Sequence, residues 1–153
     1  MVITIDSREQ NPLDFKSGGS VSRVVEDGLP FGDYWCAYET GETMKVVFER
    51  KTIPDLFGTL TNGMERFKKE VNRALENKFA LVLAIEGTLS EVLAGAKNSS
   101  VEGKSIIKTV FTLWMKYDVM PVFLPNRSEM KRFMIETWTA IGRNYKPLHK
   151  EFK

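Results

Sequence analysis

Short apolar runs of strand length alternate along this chain with segments whose apolar residues recur at helical spacing. The runs predict strands at residues 2–5, 33–39, 44–51, 79–85 and 121–124. The polar cluster Thr40-Gly41-Glu42-Thr43 predicts a turn between the second and third strands, which makes them an antiparallel hairpin. The run at 79–85 contains no polar residue, as expected for a strand covered on both faces.

Helix starts and apolar stripes predict the remaining elements. The patterns from Thr52 to Asp55 and from Thr88 to Glu91 are capping boxes, and Pro54 fits the first turn of the first helix. Apolar residues at helical spacing then mark three longer helices: Phe67, Val71 and Leu75; Ile106, Val110, Leu113, Trp114 and Tyr117; Met130, Met134, Trp138 and Ile141.

The order of these elements favours one α/β domain. Strands, helix, strand, helices, strand and helix in succession predict a mixed central sheet flanked by helices. The length of 153 residues suits a single core and is too short for two comfortable domains. We therefore expect a domain at residues 1–145 and a loose, basic tail at 146–153, with loops at 11–20 and 96–104.

The third predicted strand ends in a run of charge, Glu49-Arg50-Lys51. Charged groups beside buried residues are costly unless they are paired or hold a metal. Residues two apart share a face of a strand, so Glu49 and Lys51 project together, while Arg50 faces away and is expected to brace the site by pairing with an acidic group. A turn centred near Gly41 places Asp33 opposite Glu49, whereas a slip of one residue would turn Glu49 to the other face.

Two carboxylates and an ammonium suit metal-assisted hydrolysis of a phosphodiester. Carboxylate oxygens are the ligands that Mg²⁺ or Mn²⁺ prefers. Lys51 then has two roles open to it: to orient and help deprotonate the attacking water, or to stabilise the charge of the transition state. The alternative for Glu49 and Lys51 is an exposed edge strand with alternating charge.

The wider motif order is more specific than the charge cluster. An opening strand followed by Asp6-Ser7-Arg8-Glu9-Gln10, then Gly32-Asp33-Tyr34, then Glu49-Arg50-Lys51-x-x-x-Asp55 resembles the XPF-type nuclease family. The resemblance extends from Val2 to about Ile141 and is nearest to short stand-alone members from bacteria and phages. It implies a restriction-endonuclease-like fold and a structure-specific endonuclease.

The resemblance also implies roles for single residues. Asp33 and Glu49 would bind Mg²⁺ or Mn²⁺, and Lys51 would be the catalytic lysine. Asp6 would border the same site with Arg8 beside it, although an Asp at a strand end often only caps the next turn. For Asp55 a helix-start role is the preferred interpretation.

Two features depart from the larger relatives. Residues 11–20 are short and rich in Pro, Gly and Ser, where those relatives have a helix. The chain also has no room for their tandem helix-hairpin-helix module, so selectivity for branched or flapped DNA would need a dimer or a separate DNA-binding partner.

The net charge of +2 is too small to indicate a nucleic-acid surface by itself. Local clusters are therefore the candidates for DNA contact, against the alternative of ordinary solvated helix faces. One cluster lies in the helix after Asn62-Gly63 and consists of Arg66, Lys68, Lys69 and Arg73. Arg8, near the start of the chain, is a further candidate for DNA contact. A second lies towards the end of the chain: Arg143, Lys146, Lys150 and Lys153.

The helix at 106–117 carries a second apolar edge, Ile107, Phe111 and Met115. It is either fully buried or part of a homodimer face shared with the last helix, as the resemblance implies. The lone Cys36 excludes an internal disulfide, and neither an export signal nor a membrane-spanning run is visible. We expect a protein of bacterial or phage-infected cytoplasm with no membrane partner.

The sequence thus predicts a Mg²⁺- or Mn²⁺-dependent endodeoxyribonuclease that acts on branched, flap or fork DNA in repair, recombination or replication. A different class is the chief alternative: a catalytically silent nuclease-fold subunit that binds DNA or dimerises. Such subunits typically lose the acidic and lysine positions, all of which are present here. A carboxylate-pair hydrolase of sugars is a third hypothesis, although it would require neither Lys51 nor a metal.

Overall fold

The computed structural model describes residues 1–144, so the predicted tail at 146–153, with its basic residues, lies outside the described residues. Six strands and five helices make up the described part of the chain. The strands are β1 (Val2–Asp6), β2 (Arg23–Asp27), β3 (Tyr34–Ala37), β4 (Val46–Thr52), β5 (Ala80–Glu86) and β6 (Met120–Leu124). The helices are α1 (Ile53–Leu60), α2 (Met64–Glu76), α3 (Leu89–Leu93), α4 (Gly103–Tyr117) and α5 (Arg127–Asn144).

The strands form one mixed sheet in the order β2-β1-β3-β4-β5-β6. β3 runs antiparallel to both β1 and β4, whereas the β1–β2, β4–β5 and β5–β6 pairs are parallel. Helices cover both faces of this sheet, as the sequence predicted. The fold is therefore the mixed α/β arrangement that the sequence predicted, a central sheet flanked by helices.

Two apolar cores hold the layers together. One joins α1, α2, α3 and α4 to the face of the sheet that carries Val47 and Leu83. The other joins α5 and the 13–21 segment to the face that carries Phe48 and Val82. Alternate residues of β4 therefore face different cores, which follows from the two-residue period of a strand. The indole of Trp138 is fully buried and donates a hydrogen bond to the Val46 carbonyl at 2.9 Å.

The hairpin of β3 and β4 contains an irregularity that sets its register. Ala37 bridges Thr43, which centres the turn near residue 40, whereas Tyr34 pairs with Phe48. The β4 side thus carries extra residues between these two pairs, as in a β-bulge. On the side of the bulge away from the turn, Tyr34 pairs with Phe48, which is the register that a turn centred at Gly41 would give. Asp33 therefore lies opposite Glu49, as predicted.

Several predictions about helices and strands needed correction. β2 was missed because its charged, exposed residues do not alternate, and it gains its structure by pairing with β1 at the sheet edge. Leu75 is exposed, and Ala74 takes the inward position on α2. Two successive steps of four residues drift by about 80° around a helix, whereas a step of four followed by a step of three keeps Phe67, Val71 and Ala74 in one stripe.

Most of the second apolar edge of α4 is not covered: Ile107 packs against the core, but Phe111 is exposed and Met115 retains 76% of its accessible surface. Trp114, which was predicted to lie on the inward stripe, is exposed beside them. Full burial of this helix is therefore wrong for the single chain. Among the described residues, no helix has the length and apolar character needed to cross a membrane.

Candidate active site

Asp33, Glu49 and Lys51 line a cleft of about 300 Å³ beside α2, on the face of the sheet that carries α1. Its walls come from the segment before β3, the end of β4 and one face of α2. The lining residues are Asp6, Arg8, Pro30, Gly32, Asp33, Glu49, Lys51, Arg66, Glu70 and Arg73. A larger cavity of about 630 Å³ lies next to it and shares Lys51, Arg66 and Glu70.

Glu49 and Lys51 lie together on the cleft side of β4. Lys51 Nζ is 2.9 Å from Glu49 Oε1, and the Glu49 side chain is only 5% exposed. No group in residues 1–144 donates a hydrogen bond to the other carboxylate oxygen, Glu49 Oε2, which is fully buried. A buried carboxylate charge with an unmatched oxygen is costly, and the nearby Glu70 carboxyl group adds to this cost.

Asp33 is fixed by the backbone on both sides. Its N–H donates to the Phe48 carbonyl at 2.7 Å, and its own carbonyl accepts the Asp6 N–H at 2.8 Å. Its side-chain Oδ2 accepts the Arg50 N–H at 2.7 Å. The Asp33 carboxyl group is therefore held against β4, next to Glu49.

Burial and mutual repulsion perturb both carboxyl groups. Burial is the main cause that raises the pKa of Asp33 from 3.8 to about 7, and the charge of Glu9 adds to it. Burial also raises the pKa of Glu49 well above its ordinary value, followed by the charge of Asp33. Burial opposes the charged form of Lys51, but the adjacent Glu49 outweighs it and raises the pKa of the lysine. Lys51 therefore stays an ammonium at neutral pH.

Asp6 is buried at the end of β1, and its carboxylate is well satisfied. Its Oδ1 accepts the Leu29 N–H at 3.0 Å, and its Oδ2 accepts Arg8 Nε at the same distance. Arg8 Nη2 also donates to the Leu29 carbonyl at 2.6 Å. These bonds tie the loop after β2 to β1, which agrees with a turn-holding role for Asp6, although both side chains line the cleft.

Arg50 points to the opposite face of the sheet and forms the expected ion pair. Its Nε and Nη2 donate to the two oxygens of Glu9, each at 3.2 Å, and Nη2 also donates to the Asn11 carbonyl. Glu86 lies 3.6 Å from Nη1, and the Tyr34 hydroxyl donates to Glu9 at 3.1 Å. The cluster anchors the loop after β1 beneath the cleft.

The residues proposed to contact DNA separate into two groups. Arg8, Arg66 and Arg73 line the cleft, whereas Lys68 and Lys69 do not. Lys68 instead lies 3.7 Å from Glu65 on the same helix. Asp55 lies in the first turn of α1, where its N–H donates weakly to the Thr52 hydroxyl at 3.4 Å, and its side chain lines the larger cavity.

Sequence analysis missed one acidic residue of the cleft, Glu70. It follows Arg66 by four residues and precedes Arg73 by three, so the three share one face of α2. This spacing could have identified Glu70 from the sequence, but only the basic residues of the helix were considered as candidates. Among residues 1–144, no group of three or more His, Cys, Asp or Glu side chains is arranged to hold a metal ion directly.

Comparison with known proteins adds a family and a fold. A family model described as "ERCC4 domain" matches residues 5–136. XPF from Aeropyrum pernix has a similar structure, with a TM-score of 0.66 and 18% identity, over 99% of this chain and 70% of that one. A second structure, XPF from Aeropyrum pernix in complex with DNA, gives a TM-score of 0.63 and 20% identity, over 89% of this chain and 62% of its own. At these identities the likeness concerns the fold. No curated protein sequence matches the chain significantly.

Proposed function

The chain belongs to the ERCC4 domain family, and from that premise we propose that it is a divalent-metal-dependent endonuclease that hydrolyses the DNA backbone. The observation that carries the proposal is the buried Glu49 carboxylate. One of its oxygens binds Lys51, and the other has no hydrogen-bond donor within the described part of the chain. Asp33 lies beside it with a pKa that burial and neighbouring charge have raised.

These residues fit a hard divalent cation. Asp33 and Glu49 would hold Mg²⁺ or Mn²⁺, because both ions prefer carboxylate oxygens and commonly complete their coordination with water and phosphate oxygens. When bound, such an ion supplies an activated water and neutralises charge on the phosphate. Lys51 would bind a phosphate oxygen through its ammonium and stabilise the charge that develops there.

DNA as the substrate is supported by the chemistry of the cleft. Arg8, Arg66 and Arg73 line it, and guanidinium groups bind phosphate well. The similar structure of Aeropyrum pernix XPF in complex with DNA supports the same substrate class. We propose branched, flapped or forked DNA as the target, in repair, recombination or replication, within a cytoplasm of bacterial or phage-infected type.

A second candidate function is a catalytically silent subunit that binds DNA or another chain. The exposed apolar face of α4 favours it, because Phe111, Trp114 and Met115 form an uncovered patch suited to association. The same patch is compatible with an active homodimer built through the C-terminal helices, or with a separate partner that contributes DNA binding. The presence of Asp33, Glu49 and Lys51 in one cleft favours the enzyme.

A cleavage assay separates these functions. Labelled single-stranded, duplex, flap and fork DNA would be incubated with the protein and Mg²⁺, Mn²⁺ or a chelator, beside the variants Asp33→Asn and Lys51→Ala. We expect cleavage that requires metal and both side chains. Lys97→Ala is a suitable control, because Lys97 is exposed and lies outside both cavities. Absence of cleavage with intact DNA binding would favour the silent subunit.

A further inference from the structure

Glu70 connects α2 to the turn that precedes Asp33. Its Oε1 accepts the Gly32 N–H at 2.9 Å, across a wide separation in sequence. Arg73, on the same face of α2, donates from Nε to the Pro30 carbonyl at 3.0 Å. Two side chains of one helix therefore hold the backbone of residues 30–32.

The turn that Glu70 holds has little freedom. Gly32 has a φ of +71°, which favours glycine, and a Cβ there would lie 3.3 Å from the Phe48 carbonyl oxygen. The turn is thus pressed against β4 immediately before Asp33. Its hydrogen bond to Glu70 places the Asp33 carboxyl group relative to Glu49.

Glu70 also adds negative charge beside the two buried carboxyl groups of the cleft, those of Asp33 and Glu49. Its charge contributes to the raised pKa of both Asp33 and Glu49, and its carboxyl group contacts that of Glu49. Lys51 is engaged by Glu49 Oε1. The second oxygen, Glu49 Oε2, is buried in the same cleft and accepts no hydrogen bond from the residues described, so it is free to bind a cation there.

We propose that Glu70 is a positioning residue of the cation site, which fixes the Gly32–Asp33 turn and adds negative charge around the ion without ligating it directly. A supporting role rather than direct ligation agrees with the geometry, because no three acidic side chains among residues 1–144 are arranged to bind a metal together. The inference rests on the proposed metal-dependent function of Asp33 and Glu49.

The variant Glu70→Gln tests the charge, because a glutamine oxygen can still accept the Gly32 N–H. Mn²⁺ binding to the DNA-free protein, followed by the electron paramagnetic resonance signal of the free ion, gives a readout that needs no catalysis. We expect about tenfold weaker Mn²⁺ binding in Glu70→Gln, in the range known for residues that support metal ligands. Glu70→Ala, which also loses the hydrogen bond, should bind Mn²⁺ more weakly still.

Glu65→Gln is the matched control. Glu65 lies on the same helix, its side chain is 87% exposed, and it does not line the cleft. Its Mn²⁺ affinity should stay within about twofold of wild type, because solvent and salt screen an exposed charge. Urea unfolding of each variant would show that the affinities refer to folded protein.

The outcomes separate this inference from the proposed function. Wild-type affinity in Glu70→Gln, with binding lost in Asp33→Asn, would overturn the role of Glu70 and leave the metal site standing. A wild-type protein that binds no Mn²⁺ would overturn both. An equal loss in Glu65→Gln would mean that general charge, rather than the position of Glu70, attracts the ion.

Discussion

Replacing Asp33 by asparagine should stabilise the metal-free protein at alkaline pH. The asparagine oxygen can still accept the Arg50 N–H, which Asp33 Oδ2 accepts at 2.7 Å. The substitution therefore removes the charge and keeps the hydrogen bond. The charge is the unfavourable part, because burial and the negative charge of Glu9 raise the pKa of this carboxyl to about 7.

The sign follows from proton linkage. A carboxyl with a raised pKa binds its proton more tightly in the folded than in the unfolded protein. Its contribution to stability is complete below about pH 4 and is lost as the pH rises towards 7. The change from 3.8 to about 7 corresponds to about 4 kcal/mol, an upper limit because Asp33 keeps some contact with solvent. Asparagine does not titrate, so the variant avoids this loss.

Urea unfolding at several pH values, with a chelator present and with tryptophan fluorescence as the probe, measures the effect. The stability of Asp33→Asn relative to wild type should rise between pH 4 and pH 8 by up to about 4 kcal/mol. Asp27→Asn is the control, because Asp27 is exposed and also accepts a backbone N–H, that of Gly28 at 2.8 Å. The gain in relative stability between pH 4 and pH 8 should be larger for Asp33→Asn than for this exposed control.

Two results would refute the reasoning. A difference between Asp33→Asn and wild type that is the same at pH 4 and pH 8 would show that Asp33 ionises normally in the folded protein. A wild type that gains stability over this range relative to the variant would reverse the sign of the inferred shift. Added Mn²⁺ should stabilise wild type and leave the variant nearly unchanged.

Four further changes test other parts of the structure. Lys51→Met should slow single-turnover cleavage at least about 10²-fold with DNA binding retained, since it removes the ammonium proposed to stabilise the transition state; a loss of affinity alone would make Lys51 a binding residue. Arg66→Ala should reduce the slope of log DNA affinity against log salt concentration by about one. Lys68→Ala, on the other side of α2, should leave this slope unchanged. An Arg66→Ala slope equal to that of wild type would mean that DNA does not contact Arg66. Arg50→Met should lower the free energy of unfolding by about 3–5 kcal/mol in urea, because Glu9 is left buried without its partner; a smaller loss would mean that water reaches Glu9. Met115→Glu should abolish the proposed homodimer in light scattering, and a monomeric wild type would remove that proposal.

Local patterns were sufficient for most of the elements. The apolar run of β5 and the cap of α3 are properties of a few neighbouring residues, and the structure shows both. β2 depends instead on its pairing with β1, since three of its five residues are charged and it has no apolar face of its own. A strand that is specified by its neighbour in the sheet leaves little trace in its own sequence.

The candidate site shows the same division. Residue alternation in β4 was enough to separate Glu49 and Lys51 from Arg50. The sequence predicted that Arg50 would pair with an acidic group, but it could not identify that group as Glu9, because Glu9 comes from a loop that folds back beneath the sheet. Glu70 was missed for a related reason, since its role depends on how α2 packs against the segment before β3.

β4 serves the two faces of the sheet in different ways. On one face, the Arg50 side chain is held by Glu9 and Glu86, while the backbone N–H of the same residue holds Asp33. On the other, Glu49 is buried with one oxygen unmatched by any residue the structure describes. The two hydrogen bonds from Arg50 to Glu9 fix this part of β4, and the strand in turn fixes where the Glu49 carboxylate lies in the cleft. A cation present at a hundredfold excess over its dissociation constant would stabilise the fold by about 2.7 kcal/mol, which offsets a large part of the cost of ionising Asp33, for which about 4 kcal/mol is the upper limit. These unfavourable charges therefore support the proposed cation site.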